Sequence, residues 1–244
     1  MSPRIVVVTG AGISAESGLA TFRDADGLWN EHRVEDVASP EGFERDPDLV
    51  HAFYDRRRRE AASARPNAAH IALAELERQL PATDGRDGVV IVTQNVDDLH
   101  ERAGSRHVIH MHGELASALC AACDQRHEWH EGLAGRPPCP ACGVRALRPD
   151  VVWFGEPIYR FEEIELAVST CESLVVIGTS GTVWPAAGLA RLARERGART
   201  MLVNLDAYDD HADFDEVRLG HATVAVPQLV RELLDADAAG PLAT

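Results

Sequence analysis

Lysine is missing from this chain. All 24 basic residues are arginine, and against 39 aspartates and glutamates they leave a formal net charge of −15. So acidic a balance argues against general affinity for DNA or RNA, because phosphate binding rests on clustered cations. Aromatic residues, 5% of the chain, are not interleaved with the arginines as stacking on bases would require. No nucleic-acid partner is expected. No apolar run approaches the ~18 residues of a membrane span, so no membrane partner is expected either. The opening "MSPRIVVVTG" reaches a glycine turn too soon for a signal peptide. The expected compartment is the cytoplasm, where thiols stay reduced.

Apolar residues make up 45% and charged residues 26%, which is ordinary for a globular protein. A chain of 244 residues can bury a full core, as one domain or as a domain with an insert. Short β-branched runs mark buried parallel strands. "RIVVVTGAG" ends in glycine, and "GVVIVTQNVDDLHERAG" passes through a polar turn into a helix closed by Gly104. "SLVVIGTSGTVWPAAGLARLARERGA" repeats strand, turn and helix, and "RTMLVNLD" supplies a fourth strand. Strands alternating with helices define a doubly wound α/β fold with a parallel sheet covered on both faces. Two stretches break the rhythm: residues 30–68 read as helical and polar, and residues 116–149 hold four cysteines and several prolines. Both are expected to stand as insertions beside the main sheet.

Gly10-Ala11-Gly12-Ile13-Ser14-Ala15 is a G-x-G-x-x-A placed directly after the first strand. Glycines there let the backbone approach a pyrophosphate. A tight strand-to-helix turn gives the same pattern, but the position favours a dinucleotide. A Walker A loop is excluded because no Gly-Lys-Ser/Thr follows. The acidic strand end that dehydrogenases carry about 20 residues on is also missing, since that interval holds "TFRDADGLWNEHR". The loop therefore binds a dinucleotide in some other way.

Cys120 and Cys123, then Cys139 and Cys142, form two C-x-x-C pairs with 15 residues between them. This is the spacing of a four-cysteine zinc site, and four thiolates leave no open position, so one structural Zn2+ is expected. Cys171 reads as a buried core residue. His127 and His130 read as exposed and surplus to the metal. In "VIHMHGEL", His112 stands beside Gly113 at a strand end, which suits a general base near its ordinary pKa of about 6.5. His110 is better suited to packing, although taken alone either histidine could be structural. Ligands of open α/β sheets bind outside the carboxyl ends of the strands. Gly10–Ser14, Gln94–Asp97, Gly178–Ser180 and Asn204–Asp206 should therefore converge on one crevice.

Taken in order, "GAGISAESGLATFR", "TQNVDDLH", "HMHGEL", the two C-x-x-C pairs, "PDVVWFGE", "GTS" and "NLD" resemble the sirtuins, NAD-dependent protein-lysine deacylases. The resemblance runs from residue 4 to about residue 234 and is greatest to the bacterial and archaeal desuccinylase type. It implies a Rossmann-like large domain (about 1–29, 69–115 and 150–244) and a small domain made from the helical insertion (about 30–68) and the zinc module (about 116–149). It implies that Gly10, Ala11, Gly12 and Ile13 surround the NAD phosphates, and that Phe22 and Arg23 belong to a loop over the nicotinamide ribose. Gln94, Asn95, Val96 and Asp97 would form the ribose and nicotinamide pocket. Gly178, Thr179, Ser180, Asn204, Leu205 and Asp206 would take the adenosine side, with a late backbone contact at Ala222. Asp206 stands where several relatives have glutamate. Cys120, Cys123, Cys139 and Cys142 match the zinc ligands. Val152, Trp153, Phe154 and Gly155 match the segment that pairs with an acyl-lysine peptide as an added strand. The implied reaction passes the acyl group to ADP-ribose, releasing nicotinamide and free lysine, with His112 as the base. A monomer is expected.

The stretch "HAFYDRRRRE" puts Tyr54 and Arg57 three residues apart, on one helix face. In sirtuins that remove succinyl or malonyl groups, a Y-x-x-R of this kind grips the distal carboxylate, and Ala38 matches a small residue that leaves room for the chain. Such a charge-assisted contact is worth ~1.5–3 kcal/mol, a preference of roughly 10- to 100-fold. Acetyl and acidic acyl groups are thus both expected substrates. Arg56, Arg58 and Arg59 are expected to be solvated or paired with surplus acids. Two alternatives stand beside this one: a mono-ADP-ribosyltransferase on the same fold, and a zinc-ribbon nucleic-acid binder using the arginine run. Having no lysine, the chain cannot be its own acyl-lysine substrate.

Overall fold

A computed structural model describes residues 3–21, 28–29, 32–82, 88–179, 188–206 and 213–239. Phe22, Arg23 and Ser180 lie outside the described residues. The chain begins with β1 (Ile5–Thr9), α1 (Gly12–Ala15), β2 (Leu28–Trp29), β3 (His32–Arg33), α2 (Val34–Val37) and α3 (Pro40–Arg45). It continues through α4 (Pro47–Ser63), α5 (Ala68–Gln79), β4 (Val89–Thr93), α6 (Leu99–Ala103), β5 (Val108–His110), β6 (Gly113–Cys120) and β7 (Arg126–Glu128). The rest is β8 (Leu147–Val151), α7 (Phe161–Thr170), β9 (Ser173–Ile177), α8 (Leu189–Glu195), β10 (Arg199–Asn204), β11 (Glu216–Leu219) and α9 (Ala222–Ala239).

The four apolar runs become β1, β4, β9 and β10, the inner strands of a six-stranded parallel sheet ordered β11-β10-β9-β1-β4-β5. Their side chains are buried on both faces, as continuous β-branched runs require. On one face Val7, Ile91 and Val175 meet Leu73 and Leu76 of α5 and Val226 and Leu229 of α9. On the other Val8, Val92 and Leu174 meet Ile164 and Val168 of α7 and Ala193 of α8. The strand order reverses between β1 and β9, the point where doubly wound sheets open a ligand crevice. Register brings the strand ends level: Thr9 lies opposite both Thr93 and Ile177, and Ile177 lies opposite Val203. Gly10, Gln94, Gly178 and Asn204 are the next residues of the four strands.

The small lobe contains α2, α3 and α4 together with a three-stranded antiparallel sheet ordered β7-β6-β8. Its core is thin, with Ala118, Leu133 and Leu147 gathered around Cys120 and Cys139. The expected lobe boundaries at 115/116 and 149/150 fall inside β6 and β8, so two strands, not linkers, carry the chain between lobes. The seam is apolar: Val37, Val50, Phe53 and Tyr54 pack with Leu115, Val151 and Trp153. Among the described residues no helix is long and apolar enough to cross a membrane.

Asn67 ties the large lobe's first turn to α5. Its Oδ1 accepts from Ala69 N at 2.9 Å as the N-cap, while its Nδ2 donates to Ile13 O at 2.8 Å and Ser17 Oγ at 3.0 Å. Asn67→Ala removes all three bonds and should cost about 2 kcal/mol, read from the urea unfolding midpoint. Asn67→Asp keeps the cap but loses the donors, and its midpoint should fall between the two.

Candidate active site

The level strand ends enclose a cavity of about 660 Å³. Its floor is made where two turns touch: Gly12 N donates to Gly178 O at 2.8 Å. A Cβ on Gly12 would lie 2.7 Å from Gly178 Cα, and one on Gly178, whose φ is +61°, would lie 2.6 Å from Ile13 N. Only glycine allows this approach. Gly10, Ala11, Gly12, Gly178 and Thr179 line one end of the cavity, continuous with Asn204, Leu205, Asp206 and Ala222. Gln94, Asn95, Val96, Asp97 and His112 line its middle, and Ala38, Tyr54, Arg57, Val152, Trp153, Phe154 and Gly155 the other end. The Ile13 side chain is fully buried in the core, which leaves its main chain to the glycine turn.

His112 is held in one tautomer. Its Nδ1 lies 3.1 Å from Gln94 O, and since a carbonyl only accepts, Nδ1 carries the hydrogen and Nε2 keeps its lone pair. Burial pushes the His112 pKa down, so the neutral imidazole prevails at pH 7. His110 is its opposite. Nδ1 meets Asn95 O at 3.0 Å and Nε2 meets Glu101 Oε1 at 2.8 Å, so both nitrogens donate. Burial opposes the charge, but the hydrogen bond and attraction to Glu101 prevail and the His110 pKa is raised.

A polar layer beneath the cavity holds these groups. Asn95 Nδ2 donates to Gly10 O and to Ser14 Oγ, each at 3.1 Å, and Ser14 Oγ donates to Asp97 Oδ2 at 3.2 Å. Below them Thr9 Oγ1 bonds Thr93 Oγ1 at 2.9 Å and lies 3.0 Å from His100 Nε2. The His70 ring meets the His100 ring edge-on, with 4.9 Å between centroids. Burial drives the pKa of His70 down to about 4. Sequence reasoning missed His70, His100 and the cavity residues Glu16 and His221, which carry no motif of their own. Glu16 accepts from Thr223 N at 3.0 Å and Thr223 Oγ1 at 2.6 Å, joining the glycine turn to α9. Gln94 Nε2 faces burial with no partner among the described residues. A buried amide lacking a partner in a cavity wall is a donor waiting for a ligand oxygen.

At the far end Tyr54 is fully buried, and its hydroxyl accepts from Trp153 Nε1 at 3.1 Å. Burial raises the Tyr54 pKa, so the phenol stays protonated, and burial lowers that of Arg57. Arg148 stacks 3.5 Å above the Trp153 ring and grips Glu156 at 2.6 and 2.9 Å. Glu156 Oε2 in turn accepts from Trp153 N at 2.8 Å. Residues 152–155 bridge the lobes, with Val152 N donating to His112 O at 2.9 Å and Phe154 N to Ala38 O at 3.0 Å. Of the other arginines, Arg56 pairs with Glu60 on the surface and Arg59 is exposed. Arg58 is paired as expected but not solvated: it is buried against Asp55 at 2.7 Å.

The four cysteines form a cluster whose sulfurs all lie within 4.8 Å of one another. Cys120 and Cys142 are 3.7 Å apart, and Cys123 and Cys139 are 3.8 Å apart. Zn–S bonds of ~2.3 Å at tetrahedral angles place sulfurs ~3.8 Å apart, so the set fits zinc. His127 corrects the expectation of an exposed bystander: it is half-buried, and its Nε2 lies 3.3 Å from Cys139 Sγ. A ring N–H at that place supports the thiolate without ligating the metal. His130 is exposed, and Cys171 is buried in the core as expected.

A family model for the Sir2 family matches residues 10–185. An NAD-dependent protein deacylase of Escherichia coli (strain K12) is 50% identical over 244 residues, covering 99% of this chain and 86% of that protein. Among solved structures, a Sir2 homologue in complex with NAD is 41% identical, with a TM-score of 0.85 over 95% of this chain and 90% of the other. Sir2Af2 bound to a myristoylated histone peptide is 33% identical, with a TM-score of 0.73 over 96% and 92%. The chain belongs to the Sir2 family.

Two measurements test the polar layer and the cysteine cluster. His70 is neutral when folded down to about pH 4 but takes a proton near 6.5 when unfolded. Its stabilisation is therefore complete above pH 6.5 and is lost as pH falls, by about 3 kcal/mol at pH 4. Urea midpoints should drop across that window, and His70→Gln should flatten the drop. Metal analysis of the purified chain should return about one zinc per chain, and Cys123→Ser should release it readily to a chelator.

Proposed function

We propose that this chain is an NAD-dependent protein-lysine deacylase acting on both acetyl and acidic acyl groups. The observation that carries the reading is the single cavity that joins the glycine turns, His112 and the Tyr54–Arg57 pair. Bound NAD would supply a ribose carbon able to take the acyl oxygen, with nicotinamide as the leaving group. The bare backbones of Gly10, Ala11, Gly12, Gly178 and Thr179 suit its phosphates, and the unpaired Gln94 amide suits a ribose hydroxyl. Asn204, Leu205, Asp206 and Ala222 fall to the adenosine side, and Asn95, Val96 and Asp97 to the nicotinamide side. Phe22, Arg23 and Ser180 belong to the same proposal on sequence grounds alone.

His112 Nε2 then takes a proton from a ribose hydroxyl, its tautomer held by Gln94 O. The acyl-lysine enters beside residues 152–155. There the N–H groups of Val152, Trp153 and Phe154 are bonded within the chain, so we assign peptide pairing to the Val152 carbonyl and the Gly155 N–H. Ala38 leaves space, and Arg57 with the Tyr54 hydroxyl receives a distal carboxylate. A charge-assisted contact between a guanidinium and a carboxylate is stronger than any contact a neutral chain can make there, which favours succinyl or malonyl over a neutral chain.

Turnover of acetyl- and succinyl-lysine versions of one peptide, at saturating NAD, tests the clamp. Arg57→Met should reduce the succinyl-to-acetyl ratio of kcat/KM by roughly 10- to 100-fold; an unchanged ratio would move the acyl preference elsewhere. His112→Ala should lower kcat by about 100-fold or more with both peptides. Because His112 must be neutral and burial lowers its pKa, the acid limb of the rate should have its midpoint below pH 6.5, and activity should be level from pH 7 to 8.

A further inference from the structure

Two stripes run side by side along α4. Tyr54 and Arg57 line the cavity, while Asp55 and Arg58, each one residue on, turn away from it and are buried at 5% and 7% exposure. Asp55 is met from the zinc-binding module: Leu133 N donates to Oδ1 and Oδ2 at 2.9 Å each, and Ala134 N donates to Oδ2 at 3.0 Å. Arg58 Nη1 donates to Asp55 Oδ1 at 2.7 Å, and Arg58 Nε donates to Leu115 O at 2.7 Å. Both ends of this chain of bonds are anchored. Leu133 is fully buried among Cys120, Cys139 and Leu147, and Leu115 N donates to Val96 O, at the cavity wall, at 2.8 Å.

We propose that Asp55 and Arg58 are positioning residues that set the height and rotation of α4, so that the zinc module governs how well Tyr54 and Arg57 meet an acidic acyl chain. A buried ion pair is a poor source of net stability, because desolvation offsets most of its attraction. Its distinctive contribution is directional. Three N–H donors converge on one carboxylate and one guanidinium spans to a main-chain carbonyl, which together permit one register of helix against module. An apolar contact would allow the helix to slide by a fraction of an ångström. A carboxylate of the acyl chain feels such a slip, because a charge-assisted bond weakens steeply with distance and angle. An acetyl group, which does not reach the guanidinium's charge, feels it less. The inference rests on the reading of Arg57 as the carboxylate clamp.

The test uses the full zinc-loaded chain and the paired acetyl- and succinyl-lysine peptides. Asp55→Asn keeps the shape of the side chain but removes its charge. Gly132→Ala approaches from the module, since a Cβ there would lie 2.9 Å from Asp55 Oδ2. Asp55→Asn should lower the succinyl-to-acetyl ratio of kcat/KM by about tenfold, with the loss carried by KM of the succinyl peptide, and Gly132→Ala should shift the ratio the same way by a smaller factor. Zinc content and the urea midpoint are measured on each variant. Proportional loss with both peptides, or an unchanged ratio, would reduce the pair to a structural strut. Should Asp55→Asn fail to fold, Gly132→Ala decides alone. Arg57→Met separates the two readings. If it collapses the ratio while the other variants do not, the positioning role fails and the clamp stands. If it leaves the ratio unchanged, the clamp fails, and the positioning role with it.

Discussion

Contact between two side-chain-free turns, at Gly12 and Gly178, decides where everything else can sit. The turns leave neighbouring parallel strands at the point where strand order reverses, and their main chains share a hydrogen bond. Any Cβ at either position would push β1 and β9 apart at their carboxyl ends. Because Thr9, Thr93 and Ile177 end in register, this contact sets the depth at which Gln94 and Asn95 begin. Through the Gln94 carbonyl it also sets the position of His112. The crevice is thus a property of the sheet, and the small lobe closes one side of it.

That closure depends on compensated charge. Apolar packing at the seam supplies attraction through Phe53, Tyr54, Leu115 and Trp153, but such contacts are weakly directional. Direction comes from buried polar pairs: Asp55 with Arg58, and Arg148 with Glu156. Asp55 and Arg58 spend their bonding capacity on main-chain groups of other elements, at Leu133, Ala134 and Leu115, so that pair fixes an angle as well as a distance. Arg148 does so twice, by bonding Glu156 and by stacking on Trp153.

Legibility in the sequence follows the same division. The inner strands β1, β4, β9 and β10 were plain, because strands buried on both faces leave uninterrupted β-branched runs. The edge strand β11 was not, since it alternates half-buried with exposed positions. The small antiparallel sheet is not legible because its core is a handful of scattered residues, Ala118, Leu133 and Leu147 around two cysteines, which leaves no hydrophobic period to read. Glycine turns, the cysteine pairs and His112 announce themselves by local spacing. Asp55, Arg58, His70 and His100 do not, for a charged or titratable residue inside a polar helix looks the same in sequence whether it meets water or a distant main-chain N–H. His127 was hidden for that reason too; only folding brings it to Cys139.

The anchor of His112 is main chain. So is one anchor of its neighbour His110, which leans on the Asn95 carbonyl. No point substitution can delete a carbonyl, so changes at positions 94 and 95 can remodel the cavity wall while the orientation of the His112 ring survives them. The chemistry of the cavity wall and the geometry of the imidazole are thereby carried by different atoms of the same residues. The wall of the cavity can drift in composition without disturbing the ring it surrounds.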